Sequence, residues 1–307
     1  MTGSDVKHAQ ISFDSGGTEC AAWHFAATGE ALASPAGRPV VVMAHGLGGT
    51  KDSGLAPFAE RLADAGLDVV AFDYRGFGAS AGSPRQTVSG AGQVADYRAA
   101  MDAAARLPGV DAQRLVLWGV SLSGGHVLEA AADRSDVAAV VSLTPLVDGF
   151  AAGKHALASH KPSELVRSTV MGVRSRASSA LGRSAVMMPV VGRPGEVAAL
   201  SLEGCYDDYL AIAGPTWRNE VDASVGLELG NLRPTRFAER IACPTLVQIA
   251  DFDRSAPPQA AAKAAFKARA EVRHYPCDHF DVWPGKPWFE SAVEHQVAFL
   301  ARVLRPR

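Results

Sequence analysis

The sequence predicts an α/β fold: a mostly parallel central sheet flanked by helices and interrupted by a helical insertion. Three observations lead there. Short β-branched runs alternate with Ala-rich stretches of helical spacing. The alternation stops over residues 148–235 and resumes afterwards. With 307 residues and 48% hydrophobic content, the chain can bury one sizeable core.

Taken in order, Gln10 to Phe13 and Glu19 to Phe25 resemble an antiparallel hairpin. Pro39 to Ala44 reads as a buried strand running into His45-Gly46-Leu47-Gly48-Gly49, and Phe58 to Ala65 as a helix closed by Gly66. Leu67 to Phe72 is the next strand. A long helix follows near Val88 to Arg106, where Val94, Tyr97, Arg98 and Met101 recur at helical intervals. Arg114 to Trp118 is a third strand whose turn runs at once into the helical stretch Gly125 to Ala132, and Val137 to Leu143 is a fourth. Residues 148–235 mix Ala, Ser, Gly and Arg with amphipathic pieces such as Ser163 to Val173, and are expected to form a helical cap over the sheet's carboxyl edge. Pro244 to Ala250 (strand), Pro258 to Ala268 (helix), Glu271 to Tyr275 (strand) and Phe289 to Val303 (helix) complete a catalytic domain of residues 1–147 and 236–307.

A net charge of -2 lacks the basic excess of a nucleic-acid-binding surface, so a small-molecule substrate is expected. Met1 to Gln10 is polar with no signal-peptide pattern, and no run of about 18 apolar residues offers a membrane span; the expectation is a soluble, cytoplasmic protein. Cys20, Cys205, Cys243 and Cys277 are scattered without disulfide or metal-ligand spacing and read as small buried thiols. Between Ala151 and Arg193, Lys154, Lys161, Arg167, Arg174, Arg176, Arg183 and Arg193 face Glu164 alone. Such a run forms a solvated face, an oligomer contact such as that of a homodimer, or an attractor of acidic substrates.

Gly119-Val120-Ser121-Leu122-Ser123-Gly124-Gly125 carries the strongest chemical signal. A serine projected from a sharp strand-to-helix turn needs small neighbours. Gly119 supplies one, and Ser123 stands where a second glycine is usual. Ser123 is the rival nucleophile, although Leu122 before it is not small. A serine hydroxyl is weakly nucleophilic, so it needs a base and a group that orients the base. His279, in the loop after the last strand, suits the first role; His8, His24, His126, His155, His160, His274 and His295 read as ordinary surface histidines. Asp253 suits the second because it reaches further over the edge than Asp251, which is placed to cap the turn; Asp148 is a third candidate. Asp278, next to His279, is expected to point elsewhere. For the oxyanion, the Leu47 and Leu122 N–H groups form the candidate pair, with His45 buttressing the turn. Tyr206, Tyr209 and Trp217 are candidates for an aromatic substrate wall. Met171, Val173, Met187, Met188, Val190 and Val191 either line an acyl pocket or pack as a helical core.

These motifs together resemble the α/β-hydrolase superfamily. Asp73-Tyr74-Arg75-Gly76-Phe77-Gly78-Ala79-Ser80 is similar to its D-x-R-G-x-G-x-S turn, His45-Gly46-Leu47-Gly48 to its oxyanion segment, and the order serine, acid, histidine to its chain order. The resemblance covers the chain from about Val40 to the end apart from the insertion, and is nearest to capped bacterial esterase-like serine hydrolases, related to acyl-esterase and dipeptidyl-peptidase-like branches. It implies the α/β-hydrolase fold and a structural role for the Asp73 segment. A serine nucleophile argues against haloalkane dehalogenases and epoxide hydrolases, which attack through a carboxylate. Hydrolysis of an ester, thioester or lactone through an acyl-enzyme follows, with no metal or organic cofactor. The alternatives are a peptidase or amidase, for which Glu196 or Glu203 would anchor a substrate amine, and a ligand-binding protein with little turnover.

Overall fold

The alternation of apolar runs and Ala-rich stretches becomes an alternation of strands and helices in the computed structural model, which describes residues 8–159 and 161–306. Most of the polar amino-terminal stretch and His160 lie outside the described residues. The first half of the chain forms β1 (Ala9–Asp14), β2 (Glu19–Phe25), β3 (Arg38–Ala44), α1 (Ala56–Asp64), β4 (Asp68–Phe72), α2 (Gly90–Ala104), β5 (Val110–Val120), α3 (Leu122–Ala131) and β6 (Val137–Leu143). The interrupted stretch forms α4 (Gly149–Ser159), α5 (Pro162–Ala180), β7 (Met187–Met188), α6 (Cys205–Ile212), β8 (Val221–Asp222) and α7 (Val225–Asn231). Then come β9 (Thr245–Ala250), α8 (Pro258–Lys267), β10 (Glu271–Tyr275) and α9 (Phe289–Val303).

Eight strands form one sheet in the order β1-β2-β4-β3-β5-β6-β9-β10. The β1–β2 and β2–β4 pairs are antiparallel and every other pair is parallel. The central strands β3, β4 and β5 are covered on both faces, which is why they read as continuous apolar runs and not as alternating ones. Parallel register has a functional consequence. Ala44 pairs with Gly119 and Val120 with Leu143, so the residues that follow β3, β5 and β6 leave the sheet at one edge. Ligand sites of open α/β sheets form at this edge.

The insertion leaves and returns at one place: Gly149 N–H donates to the Leu232 carbonyl at 2.9 Å, and Thr235 N–H to that of Val147 at 3.1 Å. It is not purely helical. β7 pairs antiparallel with β8, and Val191 bridges to Leu200. The segment sits against the carboxyl edge: a Cβ on Gly214 would lie 2.3 Å from the Asp52 carbonyl oxygen, and one on Gly48 2.8 Å from Val190. Among the described residues, no helix is long and apolar enough to cross a membrane.

Candidate active site

Ser121 sits between β5 and α3 with φ 58° and ψ -119°. A non-glycine residue at positive φ costs on the order of 1–3 kcal/mol, and such strain concentrates at functional turns. The turn explains its small neighbours. A Cβ on Gly119 would lie 2.3 Å from the Ser123 carbonyl oxygen, and one on Gly125 2.2 Å from that of Leu146, so the two glycines admit no side chain. Ser123 meets a different constraint. Its fully buried hydroxyl donates to the Ala44 carbonyl at 2.7 Å and accepts from Val120 N–H at 2.8 Å. The side chain that replaces the usual glycine is thus turned into the core and tied to β3, and it lines neither of the cavities that Ser121 lines.

His279 and Asp253 are both 3% exposed, and the imidazole Nδ1 lies 2.6 Å from Asp253 Oδ2. The other carboxylate oxygen, Oδ1, accepts from the Ser255 and Ala256 N–H groups at 2.8 and 2.6 Å, which fixes the carboxylate plane. Burial pulls the His279 pKa down, but the attraction and hydrogen bond of Asp253, with the charge of Asp278, outweigh it and leave the pKa above the ordinary 6.5. The competing carboxylates are engaged elsewhere. Asp251 pairs with His274 at 2.6 Å, Asp148 accepts from Phe150 and Ala151 N–H at the start of α4, and Asp278 pairs with Arg254 at 2.5 Å. His126, expected at the surface, is instead buried against Gln93 Oε1 at 2.9 Å because α3 turns it towards α2; burial lowers its pKa to about 3.

The glycine-rich turn after β3 lies directly against the serine. A Cβ on Gly46 would be 2.9 Å from Ser121 Cβ and 3.4 Å from its Oγ. His45 lies beneath it, buried, with Nδ1 2.8 Å from the Gly46 carbonyl and its ring edge-on to Tyr74; burial pushes its pKa below the ordinary imidazole value. Leu122 is the first residue of α3, so its N–H has no acceptor within the helix, and it stands at the positive end of the helix dipole. The Leu47 carbonyl accepts from the Tyr209 hydroxyl at 2.8 Å. Asp73 ties the loops after β3 and β4 together, accepting from Lys51 N–H and Nζ, each at 2.6 Å, and from Ala79 N–H at 2.9 Å.

Two cavities share Ser121, Leu47, Leu200 and His279. One is a slot of about 20 Å³ that also touches Gly46, Tyr209, Phe280 and Trp283. The other is a chamber of about 400 Å³, bounded by the inner sides of α4 and α5 with Leu122, Leu146, Met188 and Ala198. Of the aromatic candidates, Tyr209 lines the slot. Tyr206 lies under the Arg193 guanidinium, 4.6 Å from ring to cation, and Trp217 stacks on the far side of Tyr209 at 5.2 Å; neither lines a cavity that contains Ser121. Of the six apolar candidates, only Met188 lines the chamber; Val173 faces outward and Val190 packs on Gly48. Glu196 borders the chamber, with Oε2 accepting from Arg193 N–H at 2.7 Å; Glu203 does not border it. Sequence reasoning named Tyr209 for its ring and missed its hydroxyl. It also missed Lys51 and Arg254, because ion pairs between distant segments leave no local signal. Among the described residues, no group of three or more His, Cys, Asp or Glu side chains is placed to hold a metal ion.

Residues 39–286 match the family described as alpha/beta hydrolase fold. The quorum-quenching protein AidA of Acinetobacter baumannii is 35% identical over 297 residues, 96% of this chain and 94% of its own. The thiohydrolase aneE of Aspergillus aculeatus is 30% identical over 157 residues, 51% of this chain and 49% of its own. The α/β hydrolase GrgF from Penicillium sp. sh18 has a TM-score of 0.78 at 22% identity, over 97% of this chain and 99% of that one, a likeness of fold.

Proposed function

The chain belongs to the alpha/beta hydrolase family, and from that premise we propose that it is a serine hydrolase cleaving an ester, thioester or lactone with an apolar acyl part. The observation that carries the reading is that the buried, Asp253-paired His279 and a serine held at positive φ line the same two cavities. Ser121 Oγ attacks the carbonyl carbon while His279 Nε2 takes its proton. Asp253 holds the Nδ1–H tautomer that leaves Nε2 free to accept, and steadies the imidazolium that forms. The Leu47 and Leu122 N–H groups receive the oxyanion. The imidazolium then returns the proton to the departing alcohol or thiol oxygen or sulfur, and water, activated by the same base, releases the acid.

The unequal cavities support a substrate with one large apolar part and one small one. The chamber of about 400 Å³ suits the acyl group, and the slot of about 20 Å³ suits the leaving group or the water. The names of two relatives favour the same range: a quorum-quenching protein points to a small signalling molecule, and a thiohydrolase to a thioester.

A fluorophosphonate probe is expected to label the wild-type chain and to leave Ser121→Ala unlabelled; labelling of that variant removes Ser121 as nucleophile. Activated esters are expected to turn over faster than aminoacyl amides. The opposite order assigns the site to the peptidase or amidase class, and absence of both labelling and turnover to the ligand-binding class.

A further inference from the structure

The basic run in the insertion is not used by the chemistry above, and its placement is distinctive. On α5, Val166, Val170 and Val173 are 62, 50 and 54% exposed. At about 100° per residue they and Ala177 fall within an arc of roughly 60°, one continuous aliphatic stripe. Arg167 and Arg174 border the stripe on one side, and Arg176, 3.9 Å from Glu228, on the other. The opposite side of α5 is committed to the interior: Ser175 bonds to Asp222 at 2.6 Å, and a Cβ on Gly172 would lie 2.9 Å from the Ala223 carbonyl oxygen. On α4, Phe150 is 71% exposed, while Leu157, 68% exposed, stands at the rim where α4 also lines the chamber. Between residues 149 and 183, six Lys and Arg residues face one carboxylate in a chain whose net charge is -2.

We propose that the outer face of α4 and α5 docks peripherally on an anionic lipid surface. An aliphatic stripe bordered by arginines is the pattern of a helix lying in a membrane interface, where the stripe enters the acyl boundary and the guanidinium groups reach the phosphates. Charge selects the occupant. A second copy bringing the same face would oppose cation with cation, whereas anionic headgroups neutralise them. The inner sides of these helices line the chamber at Ala152, Ala156, Leu165 and Ser168, so docking places the chamber beside the phase into which an apolar ester partitions. Docking does not depend on the catalytic reading, and it is measured separately from turnover.

The test is co-sedimentation of the full chain with vesicles of phosphatidylcholine alone and of phosphatidylcholine mixed with phosphatidylglycerol. Binding to the mixed vesicles, weakened by salt, is expected. R167A/R174A is expected to lower partitioning roughly thirtyfold, about fivefold for each charge, and V166S/V170S to lower it on both vesicle types. Both variants should keep wild-type turnover of a water-soluble ester, which shows that the fold is intact. No binding to the mixed vesicles, equal binding to the two vesicle types, or equal binding by R167A/R174A overturns the proposal. So does a dimer in sedimentation velocity that V166S/V170S dissociates, which identifies a second copy as the occupant. Lost turnover of the soluble ester in Ser121→Ala, with docking retained, separates the two readings.

Discussion

Replacing Asp253 by asparagine changes one atom of the carboxylate and, on this geometry, the tautomer of the base. Asp253 Oδ1 accepts two backbone N–H groups, from Ser255 at 2.8 Å and Ala256 at 2.6 Å. The carboxamide keeps those bonds only with its oxygen there, so its NH2 must take the position of Oδ2, 2.6 Å from His279 Nδ1. An NH2 donates, so Nδ1 must accept, and the proton moves to Nε2, where it blocks proton transfer from Ser121. The wrong tautomer costs kcat a factor on the order of 10⁴, about 5.5 kcal/mol of barrier. The pH profile carries a second sign. His279 must be neutral to act, and its pKa lies above 6.5, so wild-type activity is lost as pH falls through that raised value. Without the Asp253 charge, the burial that opposes it dominates, and the residual activity of the variant extends to lower pH. Steady-state hydrolysis of an activated ester across pH, with circular dichroism to verify folding, measures both. A folded variant that loses less than tenfold, or whose acid limb moves to higher pH, refutes the reasoning.

Tyr209→Phe keeps the ring in the slot and deletes the hydroxyl that holds the Leu47 carbonyl. With a net hydrogen bond worth about 1 kcal/mol, kcat is expected to fall roughly fivefold with KM little changed; a changed KM at constant kcat would show that the residue only contacts substrate. Ser123→Ala loses a buried hydroxyl bonded to Ala44 and Val120. It is expected to lower unfolding free energy by about 1–3 kcal/mol in urea titration while retaining fluorophosphonate labelling; lost labelling in a folded protein would reopen its candidacy as nucleophile.

Much of the architecture was legible because it follows from near neighbours. The apolar run Pro39 to Ala44 has few places to go but the middle of a sheet, and the observed β3, Arg38–Ala44, differs by one residue. The strands Val137–Leu143 and Glu271–Tyr275 and the helix Phe289–Val303 match residue for residue, since each combines an uninterrupted pattern with a clear break at its ends. Boundaries shifted where the pattern was diluted: β5 begins at Val110, four residues before the apolar run at Arg114. In the insertion, two-residue strands such as β7 leave no periodicity to read.

The chain order alone determined that a serine with small neighbours would stand at a strand-to-helix turn, because the sterics of that turn involve only residues within a few positions of it. Which aspartate meets the histidine, which way Ser123 faces, and what Tyr209 holds were decided by the folded chain. Those contacts join residues 26, 79 and 162 positions apart. At such separations an aspartate has several partners of equal chemistry within the sequence, and only the packing of the strand ends and the insertion chooses among them.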